Sequence, residues 1–346
     1  MRYYGNKTKL LPFIENVVRN TGINGTSCFV DLFSGTSSVG RHFKKLGYTV
    51  ISNDNLEFSY AISKTYIELN EQPRFDGLCE ELKVNDLDGI FGFLNNNDNY
   101  IEGFIYNHYS PNGGRMFFTD SNALKIDTNR TLFEEWKNRG VINELEFYYL
   151  LTSLLQGINL VSNVPGTYAA YLKTWDKRAL NPLLLQPIDI IESKNNNKAY
   201  KQNANDLIKY ISPDILYLDP PYNSRQYASN YFILELVAEG WFEKTPEIYG
   251  ETGMRKYDSQ KSDYASKSRA LGAMQDLINN SLKSKCILLS YSNEGIIPIC
   301  TLQETLEKVG NVTVHRENHK RYKSINQTEK DPKETTEFIF EVTTNN

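Results

Sequence analysis

Ile215-Leu216-Tyr217-Leu218-Asp219-Pro220-Pro221-Tyr222 is the stretch on which the interpretation of the fold depends. Four apolar or aromatic residues, followed at once by an acid and two prolines, predict a buried strand that ends abruptly. Neither proline donates a backbone hydrogen bond, so this strand opens into a loop at its carboxyl end, where an open parallel sheet binds ligands. The loop offers the carboxylate of Asp219, backbone carbonyls and the ring of Tyr222. That set suits a planar heterocycle bearing an amino group.

A glycine turn lies upstream of this strand. Cys28–Asp31 is predicted as a strand, and the turn that follows leads into a helix, which is the first half of a Rossmann-like unit. Only Gly35 and Gly40 are present, so the dinucleotide fingerprint GxGxxG is absent and a nicotinamide cofactor is not expected. Gly35 lets the backbone approach a ligand closely, and Asp31 can accept a hydrogen bond from an ammonium group.

A second strand, Tyr48–Ser52, ends just before Asp54. This acid lies 54 − 31 = 23 residues after Asp31. An acid about 20 residues further on, at the end of the second strand, can bind ribose hydroxyls, although a helix N-cap is the alternative. Because it accompanies Gly35 at this spacing, we expect Asp54 to bind a cofactor.

The composition limits the class of protein. The chain has 346 residues, of which 40% are hydrophobic and 23% charged, as in globular proteins with one large or two medium domains. Its 38 Lys and Arg against 42 Asp and Glu give a net charge of −4, which excludes a uniformly basic nucleic-acid binder. Four cysteines without CxxC spacing indicate reduced thiols, and no metal site is expected. No signal peptide or membrane span is evident, so a cytoplasmic location is expected.

The middle of the chain loses the alternation of strands and helices. An insert of about 110 residues is too long for a loop and predicts a mainly helical subdomain. The predicted organisation is therefore an α/β domain, residues 1–75 and 188–346, with helices on both faces of its sheet, interrupted by the insert 76–187. Cys286–Ser292 is predicted as a further buried strand, and Val312–Arg316 with Thr336–Val342 as antiparallel strands at the end of the sheet.

Asp219-Pro220-Pro221-Tyr222 resembles the DPPY motif of the amino-group methyltransferases, which use S-adenosylmethionine to methylate adenine or cytosine in nucleic acids. The longer run Asp219–Tyr227, DPPYNSRQY, resembles restriction-linked adenine methyltransferases of the FokI type more closely than the four-residue motif alone does. The order of the motifs, with the cofactor motifs first and DPPY after a long insert, resembles the alpha group of this family. The N-terminal segment, with Tyr3 and Lys7, resembles the first motif of its Dam-like members.

This resemblance implies a Rossmann-like methyltransferase that binds double-stranded DNA, recognises its target with the insert and belongs to a restriction system, where an endonuclease would share its site. It implies direct transfer to a flipped adenine with Asp219, Pro220, Pro221 and Tyr222 as catalytic residues. The cofactor-binding residues that it implies are Tyr3, Lys7, Asp31, Phe33, Gly35, Asp54 and Asp206. A methylase of RNA or of the cytosine amino group, and a non-catalytic DNA-specificity subunit, remain alternatives.

Basic residues near the motif and near the C-terminus are the candidate DNA contacts. Gly250–Arg269 is polar and basic, and we expect a mobile loop that clamps DNA. A second basic segment, His319–Lys323, surrounds a tyrosine that could lie against a base. The residues expected to contact nucleic acid are Arg225, Arg255, Lys256, Arg321 and Tyr322.

Overall fold

The chain is described by a computed structural model that covers residues 5–23, 27–320 and 334–344. It divides into two compact units, each assembled from separate stretches of sequence. Unit 1 contains Leu56–Lys194 and Tyr227–Gln260, and unit 2 contains Lys7–Asn55, Asn195–Gln226 and the described residues from Lys261 onward. The unit that holds the predicted insert therefore also includes 56–75 and 227–260. The bounds 76–187 and the recognition role of the insert stay predictions.

Strands and helices are distributed along the whole of the described chain. The strands are β1 Cys28–Asp31, β2 Thr49–Asn53, β3 Lys198–Tyr200, β4 Ile215–Leu218, β5 Ile248–Tyr249, β6 Met254–Arg255, β7 Cys286–Ser292, β8 Gly310–Lys320 and β9 Glu334–Thr344. The α-helices are α1 Leu11–Asn20, α2 Ser38–Lys45, α3 Glu57–Ser63, α4 Asp76–Leu82, α5 Leu87–Asn96, α6 Phe104–Tyr109, α7 Asp120–Asn138, α8 Glu144–Val161, α9 Ala204–Leu207, α10 Tyr227–Asn230, α11 Phe232–Glu239, α12 Ala270–Asn279 and α13 Ile299–Glu307. None of the helices in the described ranges combines the length and the apolar character that crossing a membrane requires.

Unit 2 is built on a seven-stranded sheet with the order β3-β2-β1-β4-β7-β9-β8. The first five strands are parallel, whereas β9 runs antiparallel to both of its neighbours. This confirms the predicted α/β class and the antiparallel strands at the end of the sheet. Strands β2 and β3 lie on one side of β1, whereas β4 and the later strands of this sheet lie on its other side. The carboxyl ends of β1 and β4 therefore flank the switch point at which such sheets bind ligands.

Strand β4 lies in the centre of this sheet, and all four of its residues are buried. Leu216 and Leu218 belong to one apolar cluster with residues of α12 and α13. On the opposite face, Phe29 of β1 stacks on Phe43 of α2 with ring centroids 4.0 Å apart. Because successive strand residues point to opposite faces, these contacts mean that helices cover both faces of the sheet. Because both faces of β4 are covered, all four of its residues are apolar or aromatic, and the sequence shows a continuous run instead of an alternation.

Unit 1 is mainly helical, as predicted for the insert. Helix α8 begins with a capping box between Asn143 and Glu146 and has buried residues on every side. A helix that is apolar all round is typical of the interior of a protein. Helices α3 and α11 pack with α8 in the core of this unit.

Candidate active site

Asp219 follows β4 directly and therefore lies at the switch point of the sheet. Its Oδ1 is 3.2 Å from Nζ of Lys7. The Lys7 ammonium also donates to Glu337 of β9, and Glu337 Oε1 accepts a hydrogen bond of 2.8 Å from Ser290 Oγ on β7. The side chains of Lys7 and Glu337 are 6% and 4% exposed, and that of Asp219 is 15% exposed. One lysine thus lies between two largely buried carboxylates, all within unit 2.

The charges in this group act on one another. Burial raises the pKa of Asp219 to about 6; the Lys7 ammonium opposes that rise, and the Glu337 carboxylate adds to it. Burial alone would lower the pKa of Lys7, but the carboxylates of Asp219 and Glu337 more than compensate and raise it. Near neutral pH Asp219 is consequently an acceptor whose proton affinity depends on both neighbours.

Tyr222 presents the aromatic ring that the sequence predicted beside the carboxylate. Its ring centroid is 6.0 Å from Lys7 Nζ, and its ring meets that of Tyr291 edge to face at 6.0 Å. The backbone N–H of Ile296 donates to the Tyr222 carbonyl at 2.7 Å, and that of Ile297 to the Tyr291 hydroxyl at 3.0 Å. The segment after β7 therefore holds Tyr222 in place. Between the acid and the ring, Pro220 is buried and Pro221 half-buried.

Gly295 lies in the segment that holds Tyr222 and packs against Tyr291. A Cβ at position 295 would lie 2.0 Å from Cε1 of Tyr291. We expect Gly295→Ala to lower the free energy of unfolding by about 1–3 kcal/mol, the usual effect of overpacking. Gly272→Ala in α12 is the matched control: no atom lies within 4 Å of the added methyl, and a stabilisation of up to about 1 kcal/mol is expected from helix propensity. Denaturant unfolding of both variants measures this. Equal stability of Gly295→Ala and the parent protein would contradict the packing argument.

The glycine turn after β1 is braced by the end of β2. Gly35 has φ +51°, and its N–H donates to Oδ2 of Asp54 at 2.9 Å. Asn53, which the sequence analysis did not single out, bonds through its amide to the carbonyls of Leu32 and Gln202 at 3.2 and 3.1 Å. The N-cap position of α3 is Leu56, without a side-chain cap, so the alternative role of Asp54 as a helix cap is wrong.

Asp31 lies under this turn and is 1% exposed. Its Oδ2 accepts a hydrogen bond of 3.1 Å from the N–H of Gly40. Burial raises the pKa of Asp31 to about 8; the Gly40 N–H opposes that rise, and the charges of Asp219 and Asp54 add to it. A cationic group bound beside Asp31 would favour its ionised form.

Phe33 extends the turn toward helix α9. Its ring meets that of Tyr264 edge to face at 5.2 Å, and the Tyr264 hydroxyl donates to Oδ1 of Asn205 at 2.6 Å. The next residue, Asp206, is exposed and pairs with Lys209 at 2.9 Å. The adenine contact expected of Asp206 stays a prediction, and Tyr264 is an aromatic neighbour of Phe33 that the sequence analysis missed.

Of the candidate DNA contacts, Arg225, Arg255 and Lys256 lie in the part of the chain that the structure describes. Arg255 is 8% exposed, and its Nη1 lies 3.0 Å from Oε2 of Glu239. The interpretation of Arg255 as a phosphate contact is therefore corrected: its charge is used inside unit 1, where it holds the β5–β6 hairpin to α11. Lys256 is exposed and paired with Glu247, and Arg225 is exposed in the loop after Tyr222. Tyr3, Arg321 and Tyr322 lie outside the described residues.

The segment Gly250–Arg269 also differs from the mobile loop that its composition predicted. It contains β6 and two turns of 3-10 helix, Asp258–Gln260 and Asp263–Ala265. The Tyr109 hydroxyl donates to the Gly253 carbonyl at 2.7 Å, and the Arg115 guanidinium donates to the Glu251 carbonyl at 2.9 Å. Side-chain contacts with distant residues thus give a polar sequence a defined structure.

Glu337 and Ser290 complete the charged group around Asp219, and the sequence analysis assigned neither. Glu337 comes directly before the apolar residues Phe338–Phe340 of β9 and is 3% exposed. A carboxylate inside a buried strand needs a charged or hydrogen-bonding partner. The sequence does not distinguish Glu337 from Glu341 four residues later in the same strand, so no local signal identifies the position.

Comparison with known proteins gives the family of the chain. A model of the D12 class N6 adenine-specific DNA methyltransferases matches residues 3–299. The chain is 42% identical to the Type II methyltransferase M.FokI of Planomicrobium okeanokoites, over 98% of this chain and 52% of that protein. It is 42% identical to the modification methylase StsI of Streptococcus sanguinis, over 98% of this chain and 51% of that protein. It is 37% identical to the Type II methyltransferase M.NlaIII of Neisseria lactamica, over 98% of both. The chain thus spans about half the length of the first two relatives.

Proposed function

Because the chain belongs to the D12 class N6 adenine-specific DNA methyltransferase family, we propose that it transfers a methyl group from S-adenosylmethionine to the 6-amino group of an adenine turned out of duplex DNA. The observation that carries this proposal is the position of Asp219. It is a carboxylate with a raised pKa at the switch point of the sheet, with Lys7 and the ring of Tyr222 beside it. An amino-bearing heterocycle finds there both an acceptor and a stacking surface.

The residues around the glycine turn fit S-adenosylmethionine. The left-handed backbone at Gly35 permits close approach of a ligand, Asp54 at the end of β2 can accept from ribose hydroxyls, and buried Asp31 favours a cation such as the methionine ammonium. Phe33 adds an aromatic face. When bound, S-adenosylmethionine supplies an electrophilic methyl group on a sulfonium. Lys7 is among the residues expected to bind the cofactor. Because it contacts Asp219 and Glu337, we propose that its ammonium also acts on the carboxylate that accepts from the target amino group.

The chain's own residues then prepare the amino group. The adenine amino lone pair is delocalised into the ring, so the group is a poor nucleophile. Hydrogen bonds from its two hydrogens to Asp219 and to the Pro220 carbonyl localise that pair on nitrogen. The Asp219 carboxylate takes the proton that the amino group loses on methylation, and Lys7 keeps this carboxylate ionised beforehand. Turning the base out costs a few kcal/mol, and stacking on Tyr222 offsets about 1–3 kcal/mol of it.

Target recognition and partners belong to the same proposal. The mainly helical unit 1 is the part of the chain that remains for reading the DNA sequence, since the acceptor and the cofactor residues lie in unit 2. Two relatives carry names that identify them as modification methylases. We therefore assign the chain to a restriction-modification system, with a cognate endonuclease that recognises the same site and a cytoplasmic location.

Methyl transfer to DNA and RNA tests this function. The purified protein is incubated with S-adenosylmethionine carrying a radioactive methyl group and with either unmethylated genomic DNA or total RNA. We expect label in the DNA alone, incorporated at least about 100-fold more slowly by the Asp219→Ala variant. Label in RNA, or no label in either acid from a protein that binds the cofactor, would overturn the proposal.

Asp54 gives a prediction for the cofactor. Asp54→Ala is expected to weaken binding of S-adenosylmethionine by about 1.5–3 kcal/mol, since a hydrogen bond to a charged group is lost. Asp54→Asn is the matched control, because its amide oxygen still accepts from the Gly35 N–H. If Asp54 acts only by bracing the turn, the asparagine variant binds normally; if it also binds ribose through its charge, both variants are weak. Titration calorimetry decides, and normal affinity in both variants would refute the assignment.

A further inference from the structure

Glu337 contributes a second carboxylate to the group that contains Asp219, and the mechanism above does not use it. It reaches the site from β9, the neighbour of β7, and it touches Lys7 and Ser290. The charged or titratable groups that act on Asp219 and Lys7 from the surrounding elements are Asp31, Tyr217 and Tyr222, in addition to Glu337. Lys7, Asp219 and Glu337 form the central group, one basic and two acidic side chains packed at the carboxyl end of β4.

A single ion pair between Lys7 and Asp219 would already neutralise the lysine. The fold nevertheless buries a further carboxylate at 3% exposure, which is costly unless it is paired and hydrogen-bonded. Its two partners satisfy that requirement, so Glu337 competes with Asp219 for the same ammonium. If Asp219 were the only partner of the Lys7 ammonium, the ammonium would lower the basicity of the Asp219 carboxylate and occupy its acceptor lone pairs.

We propose that Glu337 is a positioning residue that shares the Lys7 ammonium and so keeps Asp219 both ionised and basic enough to accept a proton from the target amino group. The inference rests on the proposed function of Asp219. With both carboxylates ionised, the three side chains carry a net charge of −1. That charge complements the positive charge that the amino nitrogen acquires when it is methylated and before it loses its proton. With Gln at position 337 the group would be neutral.

The proposal predicts opposite shifts of the Asp219 titration in two variants. Glu337→Gln removes a negative neighbour, so the pKa of Asp219 should fall by about one unit. Lys7→Met removes the positive neighbour, so the pKa should rise by about 1–3 units. Glu341→Gln is the control on the same strand, because Glu341 pairs with His315 at 2.7 Å and is not among the groups that act on Asp219. It should leave the titration unchanged.

Carbon-13 NMR of protein labelled at the aspartate carboxyl carbons measures this titration without DNA or cofactor. The Asp219 resonance is the one absent from the spectrum of Asp219→Asn. A lower pKa in Glu337→Gln together with a higher one in Lys7→Met supports the proposal. An unchanged or raised pKa in Glu337→Gln overturns it, and so does a lowered or unchanged pKa in Lys7→Met. If Lys7→Met does not fold, the sign of the shift in Glu337→Gln still decides. If Glu337→Gln does not fold, Glu337→Asp replaces it: its shorter side chain withdraws the carboxylate from Lys7, so the pKa of Asp219 should again fall, and an unchanged or raised pKa overturns the proposal.

The pH dependence of methylation is the second readout. In the parent protein turnover should fall as the pH decreases through about 6, where Asp219 becomes protonated. Glu337→Gln should move this acid limb down and lower the plateau by up to about tenfold, since a base weakened by one pKa unit loses at most that factor. A plateau and limb identical to those of the parent would overturn the proposal. Absence of methylation by the parent protein would refute the proposed function instead, and the NMR titration separates the two failures.

Discussion

Asp219→Ala is expected to lower turnover by about 10²–10³-fold or more, the usual loss when one preorganised polar partner of a reacting group is removed. The variant keeps the residues around Gly35 that fit the cofactor, and it keeps the ring of Tyr222. Its affinities for S-adenosylmethionine and for DNA should therefore stay close to those of the parent protein. The loss should appear in kcat, because the acceptor acts on the amino group during transfer.

A carboxylate at the opposite end of the same strand provides the control for this experiment. Asp214 precedes β4 and accepts from the N–H of Cys28 at 2.7 Å, and its Oδ1 lies 2.7 Å from Nζ of Lys285. Asp214→Ala should cost stability and leave kcat nearly unchanged. Single-turnover methylation of the two variants at equal occupancy gives the comparison. Near-normal turnover in Asp219→Ala, or an equal loss in both variants, would contradict the role of Asp219.

Tyr222→Ala should lower kcat/KM by about 5- to 150-fold, which corresponds to the loss of about 1–3 kcal/mol of stacking on one base. Tyr222→Phe keeps the ring and its edge-to-face contact with Tyr291 and should retain most of the activity. Steady-state kinetics on one duplex compares the two variants. A phenylalanine variant as inactive as the alanine variant would assign the contribution to the hydroxyl and refute the stacking role.

The parts of the fold that could be predicted from sequence are those specified locally. The buried run before Asp219, the turn at Gly35 and the acid at the end of the second strand each follow from neighbouring residues: apolar continuity, a position that needs a left-handed backbone, and the end of a strand. Because parallel strands bring their carboxyl ends to one edge, these local signals predict that the candidate site residues meet at that edge of the sheet.

The errors concern charges, whose partners are fixed only by the tertiary structure. Glu337 is 330 residues from Lys7 in sequence, and neither local propensity nor spacing indicates that pairing. Arg255 illustrates the converse error. Its polar and basic stretch of sequence predicts an exposed phosphate contact, whereas Arg255 pairs with Glu239 in the folded unit. A positive residue is a DNA contact only if the fold leaves it exposed, and composition does not report exposure.

Asp54 has a structural role in the turn at Gly35 and a proposed role in binding the cofactor. Its carboxylate holds the Gly35 N–H, so part of any effect of its removal comes from the shape of the turn. The two expectations from sequence, a ribose contact or a helix cap, did not include this bond. It depends on how the loop after β1 folds back against the end of β2.

We propose that the chain methylates the 6-amino group of adenine in DNA. The most direct measurement is to methylate unmethylated genomic DNA with the purified protein, digest it to nucleosides and identify the products by mass spectrometry. We expect N6-methyldeoxyadenosine from the parent protein and, after the same reaction time, at least about 100-fold less from Asp219→Ala. N4-methyldeoxycytidine as the product, or N6-methyldeoxyadenosine at the same level from both proteins, would contradict it.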